Sequence, residues 1–197
     1  MTKEELKKKY PPVDEIDERT KKALDIFKKI TRKAREENWE VAFLSGLAVD
    51  ANFGYLTRQH KDADLMASRD TIEKIREFLE SEGHTVYEPE RIKGECLKVD
   101  QFKEDSPMGA HGDLHIFYLG DDGNAVIPLD KKELKFKNPL AKMICELEFF
   151  GEKANFLKPE FILEEKRGWK DQIGLTGHEE KNERENIKLK DLIDALN

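Results

Sequence analysis

Three hydrophobic patterns alternate along the chain, and the switches between them mark out its elements. Over residues 17–38, Leu24, Phe27, Ile30 and Ala34 recur at helical spacing in a Lys/Glu-rich background, which predicts an amphipathic helix. The dozen residues before it, ending in Tyr10-Pro11-Pro12, read as a frayed arm. Val41-Ala42-Phe43-Leu44 is apolar throughout and reads as a short buried strand. Ser45-Gly46 then turns the chain into a brief helix over 47–53, stopped by Gly54. Residues 62–67 alternate into a second strand, and Ser68 caps a helix that carries Ile72, Ile75, Phe78 and Leu79 and ends at Gly83.

From His84 to Lys137 the period changes to two. Strands are expected at 84–88, 97–102, 113–119 and 125–129, with Asp121-Asp122-Gly123-Asn124 as the hairpin turn between the last two. After Asn138-Pro139 the stripe Leu140, Met143, Ile144 and Leu147 reads as a helix closed by Gly151. Pro159 opens another helix, and Leu189, Leu192, Ile193 and Leu196 define a last one. The order implies an α+β fold: a mixed β-sheet flanked by helices, with a helical C-terminal part. Residues 1–197 are expected to form a single domain, with a sheet-bearing core over 17–137 and a helical region over 138–197.

Composition narrows the function classes. There are 35 Lys and Arg against 42 Asp and Glu, a formal net charge of −7, which fits poorly with binding bulk nucleic acid through clustered cations. The mean hydropathy of −0.76 and the absence of any long apolar run argue against a membrane protein. The charged start MTKEELKKKYPP carries no secretory signal. Cys96 and Cys145 form no CxxC pair, which points to a reducing cytoplasm and away from a zinc site.

Most of the 42 acids belong to solvated helix faces. Asp62 and Asp64 differ, because two-residue spacing on a strand puts both on one face. Asp113 opens the apolar strand Asp113-Leu114-His115-Ile116-Phe117-Tyr118-Leu119. Three carboxylates at one sheet edge repel unless a divalent cation holds them, and oxygen-only ligation suits Mg²⁺. Two such ions about 4 Å apart would serve phosphoryl transfer. Upstream, a strand running into Ser45-Gly46 and then a helix is the arrangement that lets backbone N–H groups approach phosphates.

Taken together, Ser45-Gly46-Leu47-Ala48-Val49-Asp50, Gly54 and Thr57-Arg58-Gln59-His60-Lys61-Asp62-Ala63-Asp64 closely resemble one family. It is that of the lincosamide and aminoglycoside nucleotidyltransferases, in the polymerase-β-like superfamily. The family's signature runs G-G-W-A-x-D, a Gly, then T-R-x-H-x-D-x-D, and the spacing matches without a gap. Gly112-Asp113-Leu114-His115 followed by Asp121-Asp122-Gly123 resembles the strand and turn of the third carboxylate. Pro159-Glu160 and Lys170-Asp171 are similar, less specifically, to the C-terminal helical region. Ser45 stands where the family has Gly and Leu47 where it has Trp; the first keeps a donor at the turn, and the second detaches acceptor specificity from that of characterised members.

The resemblance implies that Asp62, Asp64 and Asp113 are catalytic and hold Mg²⁺, two ions in all, and that Asp113 also takes the proton of the attacking hydroxyl. It implies that Ser45 and Gly46 contact the β- and γ-phosphates. Arg58 would either neutralise phosphate charge or close a helix-end salt bridge. Lys170 would contact phosphate or stand as a solvated helix Lys. Asp50 and His60 are expected to fix the loop, as a buried acid capping amides and a His held by a carboxylate. His115 would border the site or satisfy itself within the sheet.

Two look-alike patterns fail. Asp62, Asp64 and Glu73 fall at EF-hand positions, but Ala67 occupies the place that requires Gly. Asp113-x-His115, Gly120-Asp121 and Gly123-Asn124 mimic metallophosphoesterase blocks, yet all fall in one hairpin. Trp39 and Trp169 read as core or rim aromatics, and 178–190 as a solvated loop and helix face. A glycosyltransferase with a DxD motif would need a longer nucleotide domain. The expected activity is metal-dependent transfer of AMP from ATP to a hydroxyl of a small molecule, an aminoglycoside- or lincosamide-like acceptor, with release of pyrophosphate. The acidic balance would suit a cationic acceptor. The alternatives are an antitoxin-type nucleotidyltransferase acting on a protein or tRNA partner, and a catalytically silent nucleotide-binding module.

Overall fold

A computed structural model describes residues 2–87, 96–99, 114–118, 124–129, 132–171 and 179–196. Helix α2 (Glu18–Glu37) starts where Asp17 accepts the Thr20 N–H at 2.7 Å and ends where Asn38 turns left-handed. Its stripe of Ala23, Leu24, Ile26, Phe27, Ile30 and Ala34 is buried. Strand β1 (Val41–Leu44) is buried at every position, as a strand lying inside a sheet between two others should be. It leads directly into α3 (Ser45–Phe53).

Strand β2 (Ala63–Ala67) returns antiparallel to β1, pairing Leu44 with Asp64 and Val41 with Ala67. Helix α4 (Arg69–Ser81) follows, with Ser68 as its cap. Strands β3 (Val86–Tyr87), β4 (Cys96–Val99) and β5 (Leu114–Tyr118) continue the sheet, with β5 parallel to β2. Strands β6 (Asn124–Leu129) and β7 (Lys132–Pro139) make a separate two-stranded sheet. Strands β8 (Ile144–Phe149) and β9 (Glu152–Leu157) complete the main sheet, whose order is β3-β4-β5-β2-β1-β9-β8. The mixed sheet flanked by helices is the fold expected from the sequence. Phe27 of α2 meets Phe43 edge-on at 4.7 Å between ring centroids and packs on Phe156 and Phe149, joining helix and sheet.

Three expectations are overturned. The stripe at 140–151 is not one helix: α5 (Leu140–Met143) makes a single turn and the chain becomes β8. From Cys145 to Phe149 exposed Glu146 and Glu148 alternate with more buried neighbours, so period two wins. Gly151 does not stop a helix; with Phe150 it forms a two-residue hairpin loop, φ +50° and +81°. The N-terminal arm is also folded. Helix α1 (Lys3–Lys9) carries a Thr2/Glu5 capping box and buries Leu6. Finally, β6 pairs with β7 and not with β5, so the expected pairing of these two strands fails; of the turn expected at 121–124 only Asn124, the first residue of β6, lies among the described residues.

Helices α6 (Pro159–Asp171) and α7 (Glu179–Leu196) pack against each other, and α6 also packs on α3. Tyr10, just past α1, donates its hydroxyl to Asp191 of α7 at 2.5 Å, beside the Lys9–Asp191 ion pair at 2.6 Å. Among the described residues no helix is long and apolar enough to cross a membrane.

Candidate functional site

The junction of β1 with α3 forms the base of the site. Ser45 adopts φ +50°, and Leu44 before it supplies no side-chain cap to the helix. The first helical donors are therefore met from elsewhere. The Ser45 amide and hydroxyl both donate to Glu165 of α6, at 3.3 and 2.5 Å. Gly46 leaves room for the Arg58 guanidinium: a Cβ there would lie 2.1 Å from Arg58 Nη2 and 3.1 Å from His60 Cε1, so any side chain would displace the guanidinium.

From Gly46 to Ala51 helix α3 is apolar except at Asp50, which is 1% exposed. Its carboxylate accepts the Thr57 amide at 3.0 Å, the Thr57 hydroxyl at 2.5 Å and the His60 Nε2 at 2.7 Å. The His60 amide in turn donates to Thr20 of α2 at 2.8 Å. Asp50 and His60 thus fix the 55–62 loop, as expected from the sequence. The need is physical, because a buried carboxylate must have its lone pairs filled.

That loop delivers Asp62 to the start of β2, with Asp64 two residues on. Asp64 pairs across with Leu44 on one side and, in parallel register, with His115 on the other. The sheet therefore brings the Ser45-Gly46 turn and the two acids to one edge. Both offer only carboxylate oxygens, the donor set that suits Mg²⁺, which takes one or two carboxylates and fills its remaining positions with water and phosphate oxygens. Among the described residues no three His, Cys, Asp or Glu side chains converge on one point. Asp113 lies outside the described residues; β5 begins with Leu114, opposite Ala63.

Arg58 is held by a salt bridge. Its Nε donates to Glu185 of α7 at 3.1 Å and its Nη1 to the Gln59 carbonyl at 2.9 Å, which lays the guanidinium over Gly46. Lys166 of α6 pairs with the other Glu185 oxygen. Lys188 donates to the Thr57 hydroxyl oxygen at 2.8 Å. Burial lowers the Lys188 ammonium below its usual value, while Asp50 and Glu185 push it back up. Lys170 lies at the end of α6, and no side-chain geometry there is described.

The expectation that 178–190 is a solvated loop and helix face holds only in part: Glu183, Arg184 and Lys190 are exposed, but Glu185 is 6% exposed and Lys188 half-buried. Glu165, Lys166, Glu185 and Lys188 escaped the sequence reading altogether. A signal existed: Glu185 stands four and seven residues before Leu189 and Leu192, on the buried stripe of α7. Glu165 likewise follows buried Ile162 by three.

A family model described as aminoglycoside-2''-adenylyltransferase matches residues 26–153. No curated protein matches the sequence significantly. Among solved structures the chain is similar to the lincosamide antibiotic adenylyltransferase LnuA bound to lincomycin. The identity is 18%, over 91% of this chain and 99% of that one, with a TM-score of 0.58. It is also similar to ANT(2'')-Ia in complex with adenylyl-2''-tobramycin, at 17% identity over 87% and 94% of the two chains and a TM-score of 0.53. A third match is an antigenic nucleotidyltransferase-like protein from Paracoccidioides brasiliensis, at 17% identity over 88% and 77%, TM-score 0.53. At these identities the likeness is one of fold.

Proposed function

We propose that this chain, which belongs to the aminoglycoside-2''-adenylyltransferase family, is a metal-dependent nucleotidyltransferase that moves AMP from ATP to a hydroxyl of an aminoglycoside- or lincosamide-like antibiotic. The observation that supports it most is the Leu44–Asp64 register, which sets the Ser45-Gly46 turn beside Asp62 and Asp64. The lincomycin and adenylylated tobramycin held by two structural neighbours support the acceptor class.

In this reading Asp62 and Asp64, with Asp113, hold Mg²⁺. Bound there, the metal supplies charge neutralisation on the phosphates and orientation of the attacking oxygen. Ser45 and Gly46 bind the β- and γ-phosphates at the helix start. Arg58, braced over Gly46 by Glu185, adds a guanidinium beside them, and Lys170 a further cation. Asp113 accepts the proton as the acceptor hydroxyl attacks the α-phosphorus. The bond to the α–β bridging oxygen breaks and pyrophosphate leaves in line.

A thermal-shift series with Mg²⁺ and each nucleoside triphosphate tests the reading. Stabilisation is expected with ATP and Mg²⁺ together, and its loss in Asp62→Asn/Asp64→Asn. Pyrophosphate release should then appear with members of an aminoglycoside and lincosamide panel. Identical shifts in wild type and the double variant would overturn the metal assignment. Release only with a protein or tRNA would replace the acceptor class.

A further inference from the structure

Ser45 makes two demands that are met by a single residue. Its φ of +50° is unfavourable for any residue with a Cβ, and the family signature has Gly at this place. Its two donors also sit at a helix start with no capping side chain from Leu44. Glu165, 1% exposed, answers both: Oε1 accepts the hydroxyl at 2.5 Å and Oε2 faces the amide at 3.3 Å.

A serine hydroxyl carries one hydrogen. While that hydrogen is given to Glu165 it cannot be given to a phosphate oxygen, and the amide of the same residue faces the second carboxylate oxygen. The donors assigned above to the β- and γ-phosphates are therefore occupied by an internal anion. Two anions competing for one donor set beside the buried Glu165 carboxylate repel, so one must give way.

We propose that Glu165 sets the triphosphate affinity of the turn: it occupies the Ser45 donors when no nucleotide is bound and yields them when the β- and γ-phosphates arrive. The inference rests on the nucleotidyl-transfer reading and deepens it. Glu165 keeps a strained serine turn in its binding shape, and the cost is competition with the incoming phosphates, a conformational tax of the kind that lowers apparent affinity. A glycine at position 45 would need no such brace. Ser45 and Glu165, which lie 120 residues apart, thus work as a pair.

Calorimetric titration with α,β-methylene-ATP and Mg²⁺ provides the test, because that analogue cannot be cleaved at the reacting bond and keeps its terminal phosphates. AMP with Mg²⁺ is the control ligand. Glu165→Gln keeps the shape and removes the charge. It should bind the triphosphate analogue about tenfold more tightly than wild type, the change that one hydrogen bond to a charged group supplies. It should bind AMP as wild type does, and its Tm without nucleotide should fall. In Ser45→Gly, which suits the positive φ, the gain from Glu165→Gln should shrink because the hydroxyl is no longer contested.

Triphosphate binding by Glu165→Gln that equals or falls below wild type would make Glu165 a brace alone and overturn the proposal. An equal gain for AMP would also overturn it, since general electrostatics would then suffice. Glu165→Asp, whose carboxylate is drawn back by one methylene with its charge kept, should shift affinity in the same direction and serves if the Gln variant fails to fold. Wild type binding no nucleoside triphosphate at all would fell the nucleotidyl-transfer reading, and this inference with it. That outcome is distinct from a wild type that binds while the variants do not differ.

Discussion

The Phe27 cluster and the Asp50–His60 pair are both buried, yet they hold the chain in opposite ways. Phe27, Phe43, Phe149 and Phe156 meet at tilted or edge-on angles with no polar atom among their side chains. Such a core is non-directional and tolerates repacking at conserved volume. Around Asp50 the polar side chains are joined by directional hydrogen bonds, and the partners come from α2, α3 and the 55–62 loop. Lys188 of α7 extends it through Thr57. A network of this kind fixes geometry, and losing one member leaves buried groups unpaired. The aromatic cluster therefore joins helix to sheet, while the polar cluster aligns the turn with the acids.

Phe27→Ala should have the largest effect on stability, about 4 kcal/mol for a fully buried aromatic. At a temperature where the variant is still folded, its kcat/KM should match wild type. Asp50→Asn should do the reverse. The amide has one acceptor oxygen where the carboxylate served three donors, a cost of about 2 kcal/mol. Its kcat/KM should fall further than the lost folded fraction explains, because the loop that carries Asp62 loosens. Urea melts paired with kinetics on both variants decide the matter. An inactive but folded Phe27→Ala, or a fully active Asp50→Asn, would break the division between the two clusters.

Glu185→Gln sharpens it. Glu185 is buried and pairs with both Arg58 and Lys166, so neutralising it should cost about 2 kcal/mol. The readout is a raised KM for the nucleotide as the guanidinium leaves Gly46. The smallest effect is expected at the α1–α7 contact. Hydrogen bonds from Lys9 and Tyr10 hold the Asp191 carboxyl below its usual range. A lowered pKa in the folded state contributes stability that is complete above the ordinary carboxylate range and is lost as pH falls through the lowered value. Denaturation midpoints taken from about pH 7 to about pH 3 should therefore decline less steeply in Asp191→Asn than in wild type. Equal slopes would show that the contact contributes nothing on the acid side.

The legible parts of the molecule were those encoded over short distances. Ser68 caps the helix expected of it, the helix expected over 17–38 forms as α2, and the apolar run at 41–44 is the buried strand. The stripe at 140–147 misled because Leu140, Met143, Ile144 and Leu147 fit a helix as well as Cys145, Leu147 and Phe149 fit a strand. Pairing with β9 through the Phe150-Gly151 loop chose the strand, and no local pattern carries that choice. Helix α1 was misread for a related reason. Seven residues cannot sustain a helix alone, and docking on α7 makes it stable, although Thr2-x-x-Glu5 announced the cap.

By itself the sequence determined the element order from α2 to α4, the α+β class, the two-residue spacing of Asp62 and Asp64 and the loop-fixing parts played by Asp50 and His60. Each of these is set by spacing within about twenty residues, where strand period, helix period and turn chemistry act directly. Only the tertiary structure decided that Arg58 answers to Glu185 and Ser45 to Glu165, across 127 and 120 residues. Charged side chains on an amphipathic helix look alike in sequence whether they face water or a partner. The packing of α6 and α7 buries these particular carboxylates, and burial leaves each of them in need of a donor.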